Sequence, residues 1–251
     1  MPYGLYISAE GALVQSQRME AIANNLANVD AAGFKRDLAV FQARYAEAAL
    51  QGMASSDAGL ENLGGGVAMY GTLTDHSPGP IKQTGLPTDV AILGDGFFLV
   101  EKQGAKYLTR AGNFMLTTAG ALVTQQGYSV LDDSGNPVVI DPSAGPWSIT
   151  ADGTLIQQDT LIHLALVRPP APTDLLKHGE NLFALVAGSS PVPLDPEERR
   201  VSAGHLEQSG VKAVQEMTEM IETSRAFEAN VNMLRLQDQA LAGLINRVLR
   251  A

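Results

Sequence analysis

The sequence contains no cysteine. That absence excludes disulfides, thiol catalysis and cysteine-ligated metals, and it leaves the redox compartment undetermined. Aromatic residues are scarce, at 6% with Trp147 as the single tryptophan, which does not favour a binding pocket walled by rings. Basic residues are the minority charge: 17 Lys and Arg stand against 27 Asp and Glu, for a formal net charge of −10. Such a chain lacks the basic face that neutralises phosphates, so nucleic acid is not an expected partner. No apolar run comes near the roughly 18 to 20 residues that cross a bilayer, so no transmembrane segment is expected. The stretch Met1-Pro2-Tyr3-Gly4-Leu5 has no basic segment leading into an apolar one, and no cleavable secretion signal is expected.

What is present is a chain of 251 residues, 45% hydrophobic and 18% charged. It is too apolar for global disorder and long enough for one large domain or two modest ones. Its dominant feature is the stretch from Val211 to Arg250. Steps of three and four give Met217, Met220, Ser224, Phe227, Val231, Leu234, Asp238, Leu241, Ile245 and Val248, the a/d seam of a long helix. Such a helix would be roughly 60 Å long and needs a partner. The amino-terminal segment Leu5 to Val29 is the candidate. Leu5, Ala12, Met19 and Leu26 recur every seven residues, joined by Ile22 and Val29, and Ser8, Gln15 and Ser16 dilute the stripe. Asn24, Asn25 and Asn28 crowd its last turns although asparagine competes with helical hydrogen bonds. Buried amides there would fix register. Gly33-Phe34-Lys35-Arg36 then supplies a helix stop, an aromatic anchor and two cations.

Between these ends the pattern changes. Asp37 to about Gly52 carries a weak helical spacing (Leu38, Phe41, Tyr45, Ala48), and Ser55 to Gly66 reads as a flexible loop. From Val67 to about Ser202 the period is two. Short apolar runs such as Thr88–Leu93, Phe97–Lys102, Lys106–Arg110, Val138–Ile140, Thr154–Gln157, Leu161–Val167 and Leu182–Val186 alternate with turn signals, which predicts an antiparallel sandwich or barrel. The expected fold class is α+β: paired amino- and carboxy-terminal helices forming a coiled-coil core, with a central antiparallel all-β domain. The expected divisions are a helical core of residues 1–36 with 209–251, a connecting segment 37–86, a β domain 87–200 and a return linker 201–208.

Candidate chemistry is thin. Ser209-Gly210-Val211-Lys212 matches S-x-x-K, but neither S-D-N nor K-T-G accompanies it; Ser209 as the cap of the long helix is the simpler reading. His76, His163, His178 and His205 show no zinc spacing. Asp132, Ser134 and Asn136 begin like a calcium loop, but Pro137 stands where glycine is required and Ser143 where glutamate is. Gly64-Gly65-Gly66 lacks the following Lys-Ser/Thr of a P-loop. Asp89 and Asp95 are a conceivable carboxylate pair for glycan hydrolysis, but Asp95 lies between two glycines in a turn. The expectation is no enzyme, no cofactor, no metal and no small-molecule substrate.

Taken together, several motifs resemble those of the bacterial flagellar rod and hook family. They are Ala23-Asn24-Asn25-Leu26-Ala27-Asn28-Val29 with Gly33-Phe34-Lys35, Asp89-Val90-Ala91-Ile92 with Gly94-Asp95-Gly96-Phe97-Phe98, Tyr107 to Phe114, Ala151-Asp152-Gly153-Thr154, Gly204 to Ser209, and Arg225-Ala226-Phe227-Glu228. They run in the family's order over nearly the whole chain. The chain departs from the pattern at Asp30 and Gly210, where the family usually has asparagine. Its length is too short for the hook member, and Asp75-His76-Ser77-Pro78-Gly79-Pro80 leading into Thr84-Gly85 resembles the proximal rod member more than the distal one.

The resemblance implies a structural subunit of the flagellar basal-body rod in the periplasmic space. It implies assembly with other copies and other rod proteins, terminal helices lining a tube with the β domain outside, and export through the flagellar type III apparatus. The residues expected at the assembly interface are Leu5, Ala12, Met19, Ile22, Asn24, Asn25, Leu26, Asn28 and Phe34 from the amino-terminal part. From the carboxy-terminal helix they are Met217, Met220, Phe227, Val231, Leu234, Leu241, Ile245 and Val248. A glycan-binding or glycan-hydrolysing β domain on a helical stalk is the alternative of a different class.

Overall fold

The structure, a computed structural model, describes residues 3–43 and 66–248. The chain divides into two compact units: residues 1–27, 37–75 and 212–251 form one, and 28–36 with 76–211 form the other.

The first unit is built on two long helices. Helix α1 (Tyr3–Ala27) has 25 residues and helix α2 (Ala213–Val248) has 36, so they are about 37 and 54 Å long at 1.5 Å per residue. Alanine, leucine, methionine, glutamate and glutamine dominate both, the residues that lose least freedom in a helix. The helices pack antiparallel. Gly4 stands against Gln237, Gly11 against Asn230, and the Asn25 amide donates to Glu216 at 3.3 Å. Each step of seven along α1 is a step of seven back along α2.

Residues 37–43 are a strand, not the helical continuation that the spacing of Leu38 and Phe41 suggests. Strand β1 (Asp37–Ala43) pairs antiparallel with β2 (Val67–Thr74). The cause lies in α1. The Asn25 side chain donates to the Asp37 carbonyl at 2.8 Å and accepts from the Asp37 N–H at 2.9 Å. One amide thus stands in for a neighbouring strand and fixes Asp37 as extended. The ribbon kinks where the register shifts between Val40 and Phe41, a bulge opposite Met69–Gly71. Tyr45, Ala48 and the loop from Ser55 through Gly65 lie outside the described residues.

The second unit is antiparallel β throughout its named strands. A nine-stranded sheet holds β5 (Phe97–Lys102) and β6 (Ala105–Thr109) at its middle; β3 (Ile81–Gln83) and β4 (Val90–Ile92) belong to two small ribbons beside it. Strand β5 explains the core. Phe98 and Val100 enter one apolar cluster with Leu122, Leu155 and Leu166, while Phe97 and Leu99 enter a second with Leu108 and Phe183. Side chains of a strand alternate between faces, so Phe97-Phe98-Leu99-Val100 reads as one apolar run because both faces are covered. Each side chain so buried contributes roughly 1.5–3 kcal/mol. Phe98 meets Phe114 edge-on at 5.0 Å, and Phe97 meets Phe183 at 5.6 Å.

Several strands differ from the sequence reading. The run Leu161–Val167 is split into Thr160–His163 and Leu166–Arg168, and Val138–Ile140 forms only isolated bridges. Residues read as a return linker form two strands, Val201–Ala203 on β4 and His205–Glu207 on β3. Ser209 does not cap α2. Its Oγ accepts from Val211 N–H at 3.2 Å, and Gly210 N–H donates to the Phe34 carbonyl at 3.0 Å. That bond holds the backbone out of the helix before Ala213.

Candidate assembly interface

The seam between the helices is half the one that apolar spacing suggests. Met220, Phe227, Leu234 and Leu241 are half-buried, but the alternate rungs fall one residue earlier, on Glu216, Thr223, Asn230 and Gln237. Small residues opposite make this possible. A Cβ added at Gly11 would stand 3.1–3.2 Å from the Asn230 amide, and one at Gly4 would stand 3.1 Å from Gln237. The amides therefore lie across α1 where larger residues would hold them off. Thr223 turns its hydroxyl back to the Glu219 carbonyl at 2.7 Å, and Arg18 approaches Glu219 at 3.7 Å.

A polar seam leaves apolar side chains elsewhere. Met217, Ile221, Met233, Leu236 and Ile245 on α2 are each at least half exposed, as are Tyr6 and Leu13 on α1. On α2 they flank the seam on both sides, Met217, Ile221 and Ile245 on one and Met233 and Leu236 on the other, and exposed aliphatic surface of this kind suits contact with other molecules. Methionines suit such a face because their unbranched chains repack against unequal neighbours.

The structure sorts the expected interface residues into three groups. Ala12, Ile22, Asn25 and Phe34 are buried within the chain itself. Leu5, Met19, Leu26, Asn28, Met220, Phe227, Val231, Leu234 and Leu241 are half-buried, and Asn24, Met217 and Ile245 are exposed. The side chain of Val248 lies outside the described residues. Ile221, Met233 and Leu236 fall outside the expected set, because a fixed three–four count from Met217 passes them by.

Sequence reasoning also misses a buried charge cluster in the second unit. Glu207 and Lys35 are each 2% exposed and Arg110 is 4% exposed. Glu207 accepts from Lys35 Nζ at 2.7 Å, from the Gly79 N–H at 2.8 Å and from Arg110 Nε. Lys35 also donates to the Ser77 carbonyl at 2.8 Å, and the Arg110 guanidinium donates to the carbonyls of Ile92, Gly94 and Gly96. Burial alone pushes the Glu207 carboxyl up; the Arg110 charge and the hydrogen bonds from Arg110, Lys35 and Gly79 outweigh it, and the net shift is downward. Gly33 seats the segment. Its φ is +65° and a Cβ there would lie 2.5 Å from the Arg110 backbone, so only glycine fits. Lys177 Nζ covers the Phe34 ring at 3.9 Å. The Gly33-Phe34-Lys35, Thr109-Arg110 and Leu206-Glu207 motifs thus converge on one carboxylate.

His163 is exposed and shares a 2.9 Å hydrogen bond with Thr154. Asp132 closes its own turn by accepting from Asn136 N–H at 2.7 Å. Among the described residues no helix is long and apolar enough to cross a membrane.

A helix pair with a half-polar seam and exposed apolar side chains on its flanks, carried with a densely cored β unit, has the form of a structural subunit. Family models agree in chain order. "Flagella basal body rod protein" matches residues 5–35, "Flagellar hook protein FlgE/F/G D1 domain" matches 91–157, and "Flagellar basal body rod FlgEFG protein C-terminal" matches 202–247. The chain is similar to the flagellar basal-body rod protein FlgF of Caulobacter vibrioides, 33% identical over 235 positions that cover 93% of each chain. It is also similar to FlgG of Bacillus subtilis, 31% identical over 257 positions covering 96% of this chain and 97% of the relative. FlgG of Buchnera aphidicola subsp. Schizaphis graminum is 34% identical over 258 positions, with 96% and 97% covered. This chain belongs to the flagellar basal-body rod protein family.

Proposed function

We propose that the chain is a structural subunit of the flagellar rod, polymerising through its terminal helices into the shaft that transmits torque across the periplasm. The single observation that carries the reading is the set of exposed apolar side chains on both flanks of α2, Met217 and Ile221 on one and Met233 and Leu236 on the other, beside a seam that is half polar. Family membership supplies the kind of neighbour: further copies and other rod proteins. The heptad-spaced contact of α1 and α2 acts as a short antiparallel coiled coil, and residues 1–36 with 209–251 work as the assembly module. Head-to-tail contacts that do not close generate a helical filament. We further infer export by the flagellar type III apparatus, since helices this weakly cored unfold readily for passage.

Within the family the FlgF type, the proximal rod, is favoured. The match to FlgF uses 235 positions for 93% of this chain, close to one position per residue. The match to FlgG of Bacillus subtilis uses 257 positions for 96% of it, more than the chain's 251 residues, so that relative carries segments this chain lacks. The test is Leu236→Asp in a strain lacking the wild-type chain. Basal bodies are expected to stop partway along the rod, and the point of truncation, read by electron microscopy, distinguishes proximal from distal placement. Complete basal bodies containing the variant at normal level would refute the assignment.

A further inference from the structure

The two flanks of α2 carry their apolar side chains at different heights. Glu216, Thr223, Asn230 and Gln237 mark the line of the seam with α1. At about 100° per residue, positions one and five after each rung lie on one flank, and positions three and six lie on the other. The first flank, taken one heptad back to Val214, is free of charge through Met217, Ile221 and Ser224. Lower down it carries Glu228, Arg235 and Asp238. The second flank is the reverse. It begins with Glu219 and Glu222 and is then free of charge through Ala226, Ala229, Met233, Leu236, Ala240 and Gly243. Val214, Met217, Ile221, Met233 and Leu236 are all at least half exposed.

Charge decides how two such helices can meet. Copies related by rotation about a shaft and translation along it keep their helices parallel. Side by side at one level, Met217 and Ile221 of one copy would face Glu219 and Glu222 of the next, and Leu236 would face Arg235. A charge pressed against apolar surface loses its hydration and gains no partner. Slid by 15 or 16 residues, Val214 meets Ala229, Met217 meets Met233, Ile221 meets Leu236 and Ser224 meets Ala240. Arg235 and Asp238 then pass beyond the neighbour's last described residue, and the neighbour's Glu219 and Glu222 precede the start of the first copy's α2. Both charge-free segments adjoin the half-buried row Met220, Phe227, Leu234 and Leu241, so the contact continues the packing that α1 begins. An isologous contact would use one flank twice and leave the other bare.

We propose that α2 packs parallel to α2 of a second copy of this chain, first flank against second, with a stagger of 15 or 16 residues, about 23 Å along the helix. The inference rests on the assembly reading above and sets its register. Because the two flanks differ, each copy takes one neighbour on either side, and the stagger makes the row climb instead of closing into a ring.

The chain has no cysteine, so single introduced cysteines report the register in isolated basal bodies. With the full chain made in two differently tagged forms, Met217→Cys on one and Met233→Cys on the other are expected to crosslink through a short bismaleimide. Ile221→Cys with Leu236→Cys should do the same, and the level pair Ile221→Cys with Glu222→Cys should not. In competition with the wild type, Ile221→Lys and Leu236→Glu are each expected to incorporate roughly tenfold less or worse. Both changes in one chain are expected to restore incorporation to within about threefold, since each introduced lysine meets the neighbour's introduced glutamate. The positions are exposed, so the urea midpoints of the purified variants should stay at the wild-type value. Crosslinking of the level pair, or of neither staggered pair, overturns the proposed register, as does failure of the double variant to recover; these outcomes leave the assembly reading standing. Crosslinks only to a different rod protein overturn the choice of partner. Normal incorporation of both single variants removes the assembly reading together with the register.

Discussion

The β unit and the helical unit solve the same problem in opposite ways. The β unit buries Phe97, Phe98, Leu99 and Val100 between two apolar clusters and compensates its buried charges around Glu207. In the helical unit Glu216, Thr223, Asn230 and Gln237 lie along the helix contact, while Met217, Ile221 and Leu236 remain in solvent. Apolar burial is the main favourable term in folding, so the β unit stands by itself and the helical unit is left short. The difference teaches where assembly acts. Neighbours add little to a domain that is already packed, and much to helices whose apolar side is uncovered.

The contrast can be broken most sharply at Glu207. Glu207→Ala removes the buried carboxylate that Lys35 and Arg110 share, and the β unit should lose about 3–5 kcal/mol. Trp147, the single tryptophan and packed against the larger cluster, reports this as a lower urea midpoint in fluorescence. A milder blow comes from acid. The folded-state carboxyl of Glu207 lies below its ordinary 4.5, so its contribution is present above that value and is lost as pH falls through the lower one. Trp147-reported stability should therefore decline on acidification below about pH 4.5. A flat profile there would show that the cluster contributes nothing. In the wild type at neutral pH, the helical signal at 222 nm should be lost at lower urea than the Trp147 signal; coincident transitions would erase the distinction between the units. The smallest change is Asn230→Leu. Replacing a polar rung should strengthen the helix pair by about 1 kcal/mol while relaxing its register, raising the midpoint of the 222 nm transition and leaving that of Trp147 in place.

Much of this architecture is legible in the sequence because it depends on local periodicity. The two terminal helices, the strand Phe97–Lys102 and the strand Thr154–Gln157 follow from spacing alone. What is not legible depends on partners far away in the chain. The seam cannot be placed by counting apolar residues, since Asn230 and Gln237 are admitted by glycines more than two hundred residues earlier. Strand β1 owes its extended start to the Asn25 amide rather than to its own alternation. Lys35, Arg110 and Glu207 each sit inside a recognisable motif, but no spacing rule links groups so widely separated.

The convergence on Glu207 also bears on how force passes through the molecule. The chain enters or leaves the β unit at four points, and the segments just inside those points return to one place: Gly33 N–H donates to the Glu207 carbonyl, Gly79 N–H to its carboxylate, and Gly210 N–H to Phe34. A twist arriving along any one connection is therefore resisted by bonds to the others at the same time. Bonds loaded in parallel share a force that bonds in series would meet one by one, as teeth of a zip do. In a rotating shaft, that is the difference between a coupling that holds its angle and one that creeps.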